Sequence, residues 1–162
     1  MHKKEELIQN FKTAIASTTK SVSNVKDIEV IFGNEKLKTN KKIIKLPDLE
    51  SINDKIDYTK ARALADSEAL KVRYSNEKIL KTYEPEGNIS KKLYHIAEKI
   101  RYEKLGSVEF KGIKNNIDKF YNEKLEKTEF EKNENKYIDA FENYLRSNIF
   151  NYKNNKNYKS FK

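Results

Sequence analysis

The sequence has no cysteine, and its 162 residues include only four glycines, two prolines and two histidines. Without cysteine there is no disulfide, no thiolate zinc site and no cysteine nucleophile. The few glycines form no phosphate-binding loop of Walker or Rossmann spacing, which argues against nucleotide binding by this chain. His2 and His95 cannot form a histidine-rich metal site, and no serine is arranged with a histidine and an acid. We therefore expect no catalytic residue, no metal ligand and no cofactor in this chain.

Long apolar runs are missing as well. The first residues, "MHKKEELIQNF", lack the apolar core of a signal peptide, and no run approaches the length of a membrane span. The length fits a single domain. We expect a cytoplasmic protein that contacts no membrane, with residues 1–150 as a single domain and residues 151–162 as a disordered basic tail.

Basic residues are abundant, 34 against 25 acids, and give a formal net charge of +9. Clustered lysines and arginines would favour nucleic-acid binding, because they release counterions from phosphates. Here the lysines are scattered among acids, and lysine, asparagine, isoleucine and tyrosine are raised together, as in a compositionally biased genome. We therefore do not expect nucleic-acid binding. A basic helical nucleic-acid-binding protein stays an alternative, favoured if the lysines gather on one face.

Hydrophobic periodicity predicts an α+β fold that is predominantly α-helical, with one small β-hairpin. An amphipathic helix should cover "EELIQNFKTAIAS" and end near the Ser/Thr cluster at 17–23. The β-branched runs "DIEVIFG" and "KKIIKLP", joined by the turn-rich "GNEKLKTN", are typical of the hairpin. After a loop, Asp57 should cap a first central helix.

The second half of the chain predicts three further helices. The turn "TYEPEGN" precedes a second central helix, which should be capped by Asn88 or Ser90 and end at Gly106. Its buried stripe is predicted to contain Leu93, Ile96, Ala97, Ile100 and Leu105. The last two helices should bury Ile113, Ile117, Phe120 and Tyr121, and then Ile138, Phe141, Leu145 and Ile149.

Charged residues recur on the two central helices. In "ARALADSEALKVRYSN", Arg62 and Asp66 form an i, i+4 pair beside a narrow stripe of small residues that allows close helix packing. Such residues form either an exposed ladder of ion pairs or a network that links helices. We predict a structural network that consists of Arg62, Asp66, Glu68, Arg73, Glu98, Arg101 and Glu103.

An ordered series of short motifs resembles the N-terminal region of the T subunit of aerobic cobaltochelatase, the CobT family. The series comprises Phe32 and Gly33, Ala65 to Ser67 with Ala69 and Leu70, Pro85 to Gly87, and Glu98, Arg101, Glu103 and Gly106. It covers about residues 6 to 125. The resemblance implies an assembly subunit of the ATP-dependent complex that inserts cobalt into a corrin ring in cobalamin biosynthesis.

The resemblance also implies partners and cofactors. They are an AAA+ ATPase subunit and a large corrin-binding subunit, with ATP, magnesium and cobalt used by the complex. Family members carry a C-terminal von Willebrand A-like domain with an Asp-x-Ser-x-Ser metal site, and that motif is absent here. We expect a truncated or short relative without catalysis of its own.

Some proteins related to this region resemble zinc peptidases with a His-Glu-x-x-His motif on the first central helix. Here Glu68 remains, but Ser67 and Lys71 replace both histidines. A lysine ammonium repels a divalent cation, so a zinc site is not expected. A degenerate metallopeptidase-like domain stays an alternative. We predict instead that Asp66 or Glu68 pairs with Arg101 across closely packed central helices.

Overall fold

The structure is a computed structural model that describes residues 2–34, 39, 41–49, 57–127 and 136–152. These residues form six helices and two short strands, which confirms a predominantly helical α+β fold. The chain divides into two compact units, Met1–Tyr74 and Ser75–Lys162. Within the described residues, no helix is both long and apolar enough to cross a membrane. The single domain over residues 1–150 stays a prediction, as does the tail, of which residues 153–162 lie outside the description.

The first unit contains α1 (His2–Ser23), β1 (Ile28–Phe32), β2 (Lys42–Leu46) and α2 (Tyr58–Tyr74). The predicted end of α1 near the Ser/Thr cluster at 17–23 is confirmed, since the helix ends at Ser23, the last residue of that cluster. Thr18 donates its hydroxyl to the Ala14 carbonyl at 2.9 Å, and Thr19 and Ser23 are buried. The predicted cap of α2 is confirmed, since Asp57 Oδ1 accepts from the Lys60 amide at 2.9 Å.

The two strands pair in parallel, so the predicted β-hairpin is wrong. Parallel pairing requires the chain to return along the strand before β2 begins, and nine residues separate β1 from β2. Gly33 starts this return with a φ of 64°, and its amide donates to the Leu46 carbonyl at 2.9 Å. Residues 35–38 and 40 of the predicted turn lie outside the description. Apolar patterning alone does not fix strand direction.

The core of the first unit lies where helices cover the sheet. Helix α1 packs on β1 and on α2, and α2 packs on β2. The apolar residues buried together come from all four elements and from the segment after β2; they are Ile15, Ile28, Phe32, Ile44, Leu46, Leu49 and Ala65. Burial of this apolar surface is the main force that holds the unit together.

The second unit contains α3 (Glu77–Thr82), α4 (Asn88–Glu109), α5 (Lys111–Lys127) and α6 (Lys136–Phe150). Helix α4 begins after Gly87 rather than after the predicted cap, Asn88 or Ser90. The predicted stop at Gly106 is also wrong, because Gly106 is buried within α4 and accepts a hydrogen bond from the Phe110 amide at 2.7 Å.

Helices α5 and α6 run antiparallel, because a residue earlier in α5 contacts one just after the end of α6, and residues later in α5 contact residues nearer its start. The contacts are Lys124 with Glu142 at 3.2 Å, Tyr121 with Arg146 at 2.7 Å, and Asp118 with Tyr152 at 2.8 Å. Helix α4 packs against both. The three helices therefore form a small bundle.

The inner face of α6 is more polar than its sequence predicts. The predicted stripe is wrong for Ile149, whose exposed fraction is 38%. The buried residues of α6 are Asn143, Arg146, Ser147 and Phe150. Arg146 lies on the inner face of α6 because an acid of α4 lies opposite it.

Candidate functional site

A buried ion pair joins α4 to α6. Nη1 of Arg146 lies 2.7 Å from Oε2 of Glu103, and each side chain is only 1% exposed. The contact is close, but its geometry is that of an ion pair rather than a well-aligned hydrogen bond. Removing two charges from water costs several kcal/mol per ion, so a pair this deeply buried needs further polar partners.

Arg146 has those partners on two helices. Its Nε donates to Oε1 of Glu142 at 3.0 Å, one turn earlier on α6. Its Nη2 donates to the Tyr121 hydroxyl at 2.7 Å, and the guanidinium carbon lies 3.4 Å from the centroid of that ring. Lys124 bridges to Glu142 at 3.2 Å. We call Glu103, Tyr121, Lys124, Glu142 and Arg146 the ion-pair cluster.

The charges of the ion-pair cluster compensate one another. Burial alone would lower the pKa of Arg146, but the negative charge of Glu103 and the other neighbours hold it above its ordinary value. Burial alone would raise the pKa of Glu142, but Arg146 and Lys124 hold it below its ordinary value. Burial raises the pKa of Tyr121, which keeps the hydroxyl neutral. The two acids and two bases of the cluster carry formal charges that sum to zero.

One buried hydroxyl lies on the same face of α4. Ser107 follows Glu103 by one helical turn and is 7% exposed. Its Oγ has no hydrogen-bond partner within the part of the chain that the structure describes. Such a group loses hydration without compensation, which costs about 1–3 kcal/mol.

The predicted network includes Glu103 but lacks its partner Arg146. The structure brings two other predicted residues together on α4, where Arg101 donates to both carboxylate oxygens of Glu98 at 2.6 and 2.8 Å. Ser75 also donates to Glu98 at 2.6 Å. The Arg101 side chain is 47% exposed. This contact is a local helix pair near the surface.

The predicted residues of α2 have different neighbours. The Arg62 guanidinium lies 5.4 Å from the centroid of the Phe11 ring, and Arg73 donates to the Val22 carbonyl at 3.2 Å. Asp66 is buried, and Glu68 is half-buried. The network as a whole, including the pairing of Asp66 or Glu68 with Arg101, stays a prediction.

Arg146 and Glu142 are the important residues that the sequence reasoning missed. The sequence feature that could have pointed to Arg146 is composition, since only four of the 34 basic residues are arginines. A planar guanidinium suits a buried, multiply bonded site better than a lysine ammonium. An arginine next to Leu145, within a predicted amphipathic helix, was therefore a candidate for the core.

The ion-pair cluster joins three helices, and its central pair lies out of contact with solvent. Glu103 and Arg146 have almost no solvent contact, and each ionised group already has a partner of opposite charge. Among the described residues, no three side chains of the metal-binding types lie together. The expectation of no catalytic and no metal-binding residue stays a prediction.

The chain matches a known protein family over most of its length. The family model described as cobalamin biosynthesis protein CobT matches residues 5–144. No solved structure matches the chain. The matched residues span both compact units and include four members of the ion-pair cluster, while Arg146 lies two positions beyond them.

Proposed function

Because the chain belongs to the family of cobalamin biosynthesis protein CobT, we propose that it is a non-catalytic subunit, or a fragment of one, of an ATP-dependent cobaltochelatase. In this proposal the complex inserts cobalt into a corrin ring, and cobalt is a substrate of the complex. The single observation that carries the proposal is the family match over most of the chain.

A scaffolding role is supported by how the second unit uses its charged groups. The ion-pair cluster joins α4, α5 and α6 through contacts of 2.7 to 3.2 Å. Its ionised groups stabilise the arrangement of these helices and do not face a substrate. The sequence also contains no phosphate-binding loop, so we assign ATP and magnesium to a separate AAA+ ATPase subunit. We assign the corrin ring to a large third subunit.

Reconstitution tests this function directly. The chain, the AAA+ ATPase subunit and the large subunit from the same host are purified separately and mixed with ATP, magnesium, cobalt and a corrin substrate. We expect cobalt insertion, followed by absorbance, only when all three proteins are present. The chain alone should neither hydrolyse ATP nor retain stoichiometric zinc after dialysis.

Two results would contradict the proposal. Full cobalt insertion without the chain would show that the complex does not need it. ATP hydrolysis by the purified chain would show that the chain is itself an enzyme. Stoichiometric zinc would favour the metallopeptidase-like alternative. Exposed-surface variants such as Tyr137→Ser should retain activity, because Tyr137 is 76% exposed and lies away from the buried contacts.

A further inference from the structure

A cavity lies between the helices and the sheet of the first unit. Its volume is about 240 Å³, larger than an engineered apolar cavity of roughly 150 Å³ that binds benzene. Residues of α1, β1, β2, α2 and the segment after β2 line it. The ion-pair cluster belongs to the second unit, and none of its residues lines the cavity. The cavity therefore has no part in the helix-joining role of that cluster.

The lining of the cavity is mostly apolar, and the core of the unit fixes its shape. Its apolar side chains include Ile15, Phe32, Leu46, Leu49, Ala61 and Leu64. The first four are between 3% and 9% exposed and belong to the hydrophobic core. Close-packed core side chains occupy defined rotamers, so the cavity keeps its shape without a ligand. A concave apolar site of this kind is preorganised for an apolar group.

The charged groups at the cavity are of both signs. Asp48 and Lys60 line it. Asp48 Oδ1 lies 3.4 Å from the Lys12 ammonium, so the charge of this acid has a partner. Asp57, which caps α2, accepts from the Lys60 amide at 2.9 Å. The formal charges of these two acids and two lysines sum to zero, so they favour neither an anionic nor a cationic ligand.

The polar groups lie at the opening of the cavity rather than at its floor. Pro47 and Lys60 are exposed, and Asp48 is half-buried. A charged ligand would lose hydration against the apolar floor, and no net opposite charge would offset that loss. An uncharged ligand buries its apolar part without this cost, and one polar group of such a ligand can form a hydrogen bond with Asp48 or Lys60 at the opening.

We propose that this cavity is a binding site for a small, uncharged and mainly apolar molecule of about the size of indole. The ring of the molecule lies against the floor that contains Ile15, Phe32 and Leu46. Ala61 and Leu64 of α2 form the wall beside it. Binding there needs no other subunit, so the site can be tested without the complex.

Titration of the isotope-labelled full chain with indole, followed by NMR, tests the site. We expect saturable shifts of the amide signals of residues that line the cavity. Ala61→Phe places a ring in the cavity from α2 and should weaken Kd by at least roughly tenfold. The matched control is Ala97→Phe, which should keep the affinity of the unmodified chain, because Ala97 is exposed on α4. Urea melts check folding, and Ala61→Leu with Ala97→Leu replaces this pair of variants if Ala61→Phe does not fold.

A series of ligands with the same ring tests the chemical class. Benzyl alcohol should bind more tightly than both benzoate and benzylamine, because only the charged molecules lose hydration of an ion on entry. Tighter binding of benzoate or of benzylamine would show that the cavity selects a charged ligand and would overturn the proposal. The absence of saturable indole binding, or equal binding to the unmodified chain and to a folded Ala61 variant, would also overturn it.

Discussion

Replacement of Arg146 by methionine is the most direct test of the ion-pair cluster. Methionine keeps much of the length of the side chain but removes its charge and all its donors. Glu103, which is 1% exposed, would lose an ion partner 2.7 Å away. Removing one member of a buried pair typically costs 3–5 kcal/mol. We expect a loss of about 3 kcal/mol or more in the free energy of unfolding, a large part of the stability of an ordinary domain.

A double-mutant cycle separates the pair from its surroundings. Glu103→Gln should cost about 2 kcal/mol, less than Arg146→Met, because Arg146 keeps Glu142 as a partner at 3.0 Å. The double variant should be at least about 1.5 kcal/mol more stable than the sum of the single effects predicts. Arg101→Met is the control, since its pair with Glu98 is 47% exposed on the arginine side. An exposed pair should cost under about 1 kcal/mol.

Urea unfolding followed by circular dichroism gives these energies. Hydrogen exchange of the α4 and α6 amides shows where the fold is destabilised. If Arg146→Met does not fold, Glu103→Gln can be measured alone by the same method. Additive effects in the cycle would refute the coupling between Glu103 and Arg146. An Arg146→Met cost no larger than that of Arg101→Met would refute the burial argument itself.

Four other features of the chain are open to similar measurements. Ser107→Ala should stabilise the fold by about 1 kcal/mol in urea melts, because it removes a buried hydroxyl without a partner among the described residues; a loss of stability would refute this. Glu142 has a lowered pKa, so its contribution is present above its ordinary value of 4.5 and is lost as pH falls through the lowered value. Glu142→Gln should therefore flatten the fall in stability below about pH 4.5, and an unchanged pH profile would contradict the assignment. A double-mutant cycle of Arg101 and Asp66 tests the contact that the sequence predicts, because coupling would support it and additive effects would exclude it. Duplex DNA should bind weakly and without sequence preference at physiological salt, and tight binding there would favour the nucleic-acid alternative.

The helical fold could be predicted because apolar periodicity marks most of its elements. Ile15, Ala65 and Ile117 lie on the predicted stripes and are buried. Strand direction could not be predicted, since an alternating run fits either a parallel or an antiparallel partner. The predicted end of α4 was wrong because glycine commonly ends a helix, whereas Gly106 is buried within α4.

The composition of the cluster could be predicted only in part, because it depends on pairs of residues far apart in sequence. Glu103 was named from its place on a central helix, but nothing local to α4 indicates that its partner is 43 positions later. The apolar stripe of α6 pointed to Ile149, and the buried arginine three positions earlier was overlooked. The burial of a polar residue on an inner helix face can be predicted from the sequence only when its partner is already known.

Arginine marks fixed contacts in a chain whose basic residues are mostly lysine. Two of the four arginines make a contact that uses the shape of the guanidinium: Arg101 donates to both carboxylate oxygens of Glu98, and the guanidinium carbon of Arg146 lies 3.4 Å from the centroid of the Tyr121 ring. Arg62 and Arg73 lie 5.4 and 5.5 Å from the ring centroids of Phe11 and Tyr74, distances that Lys12 and Lys104 also reach over Phe32 and Phe150. A lysine ammonium has neither the plane nor the fork. The sequence-based expectation that acids and arginines hold helices together is thus best supported at Arg146, the arginine that it did not include.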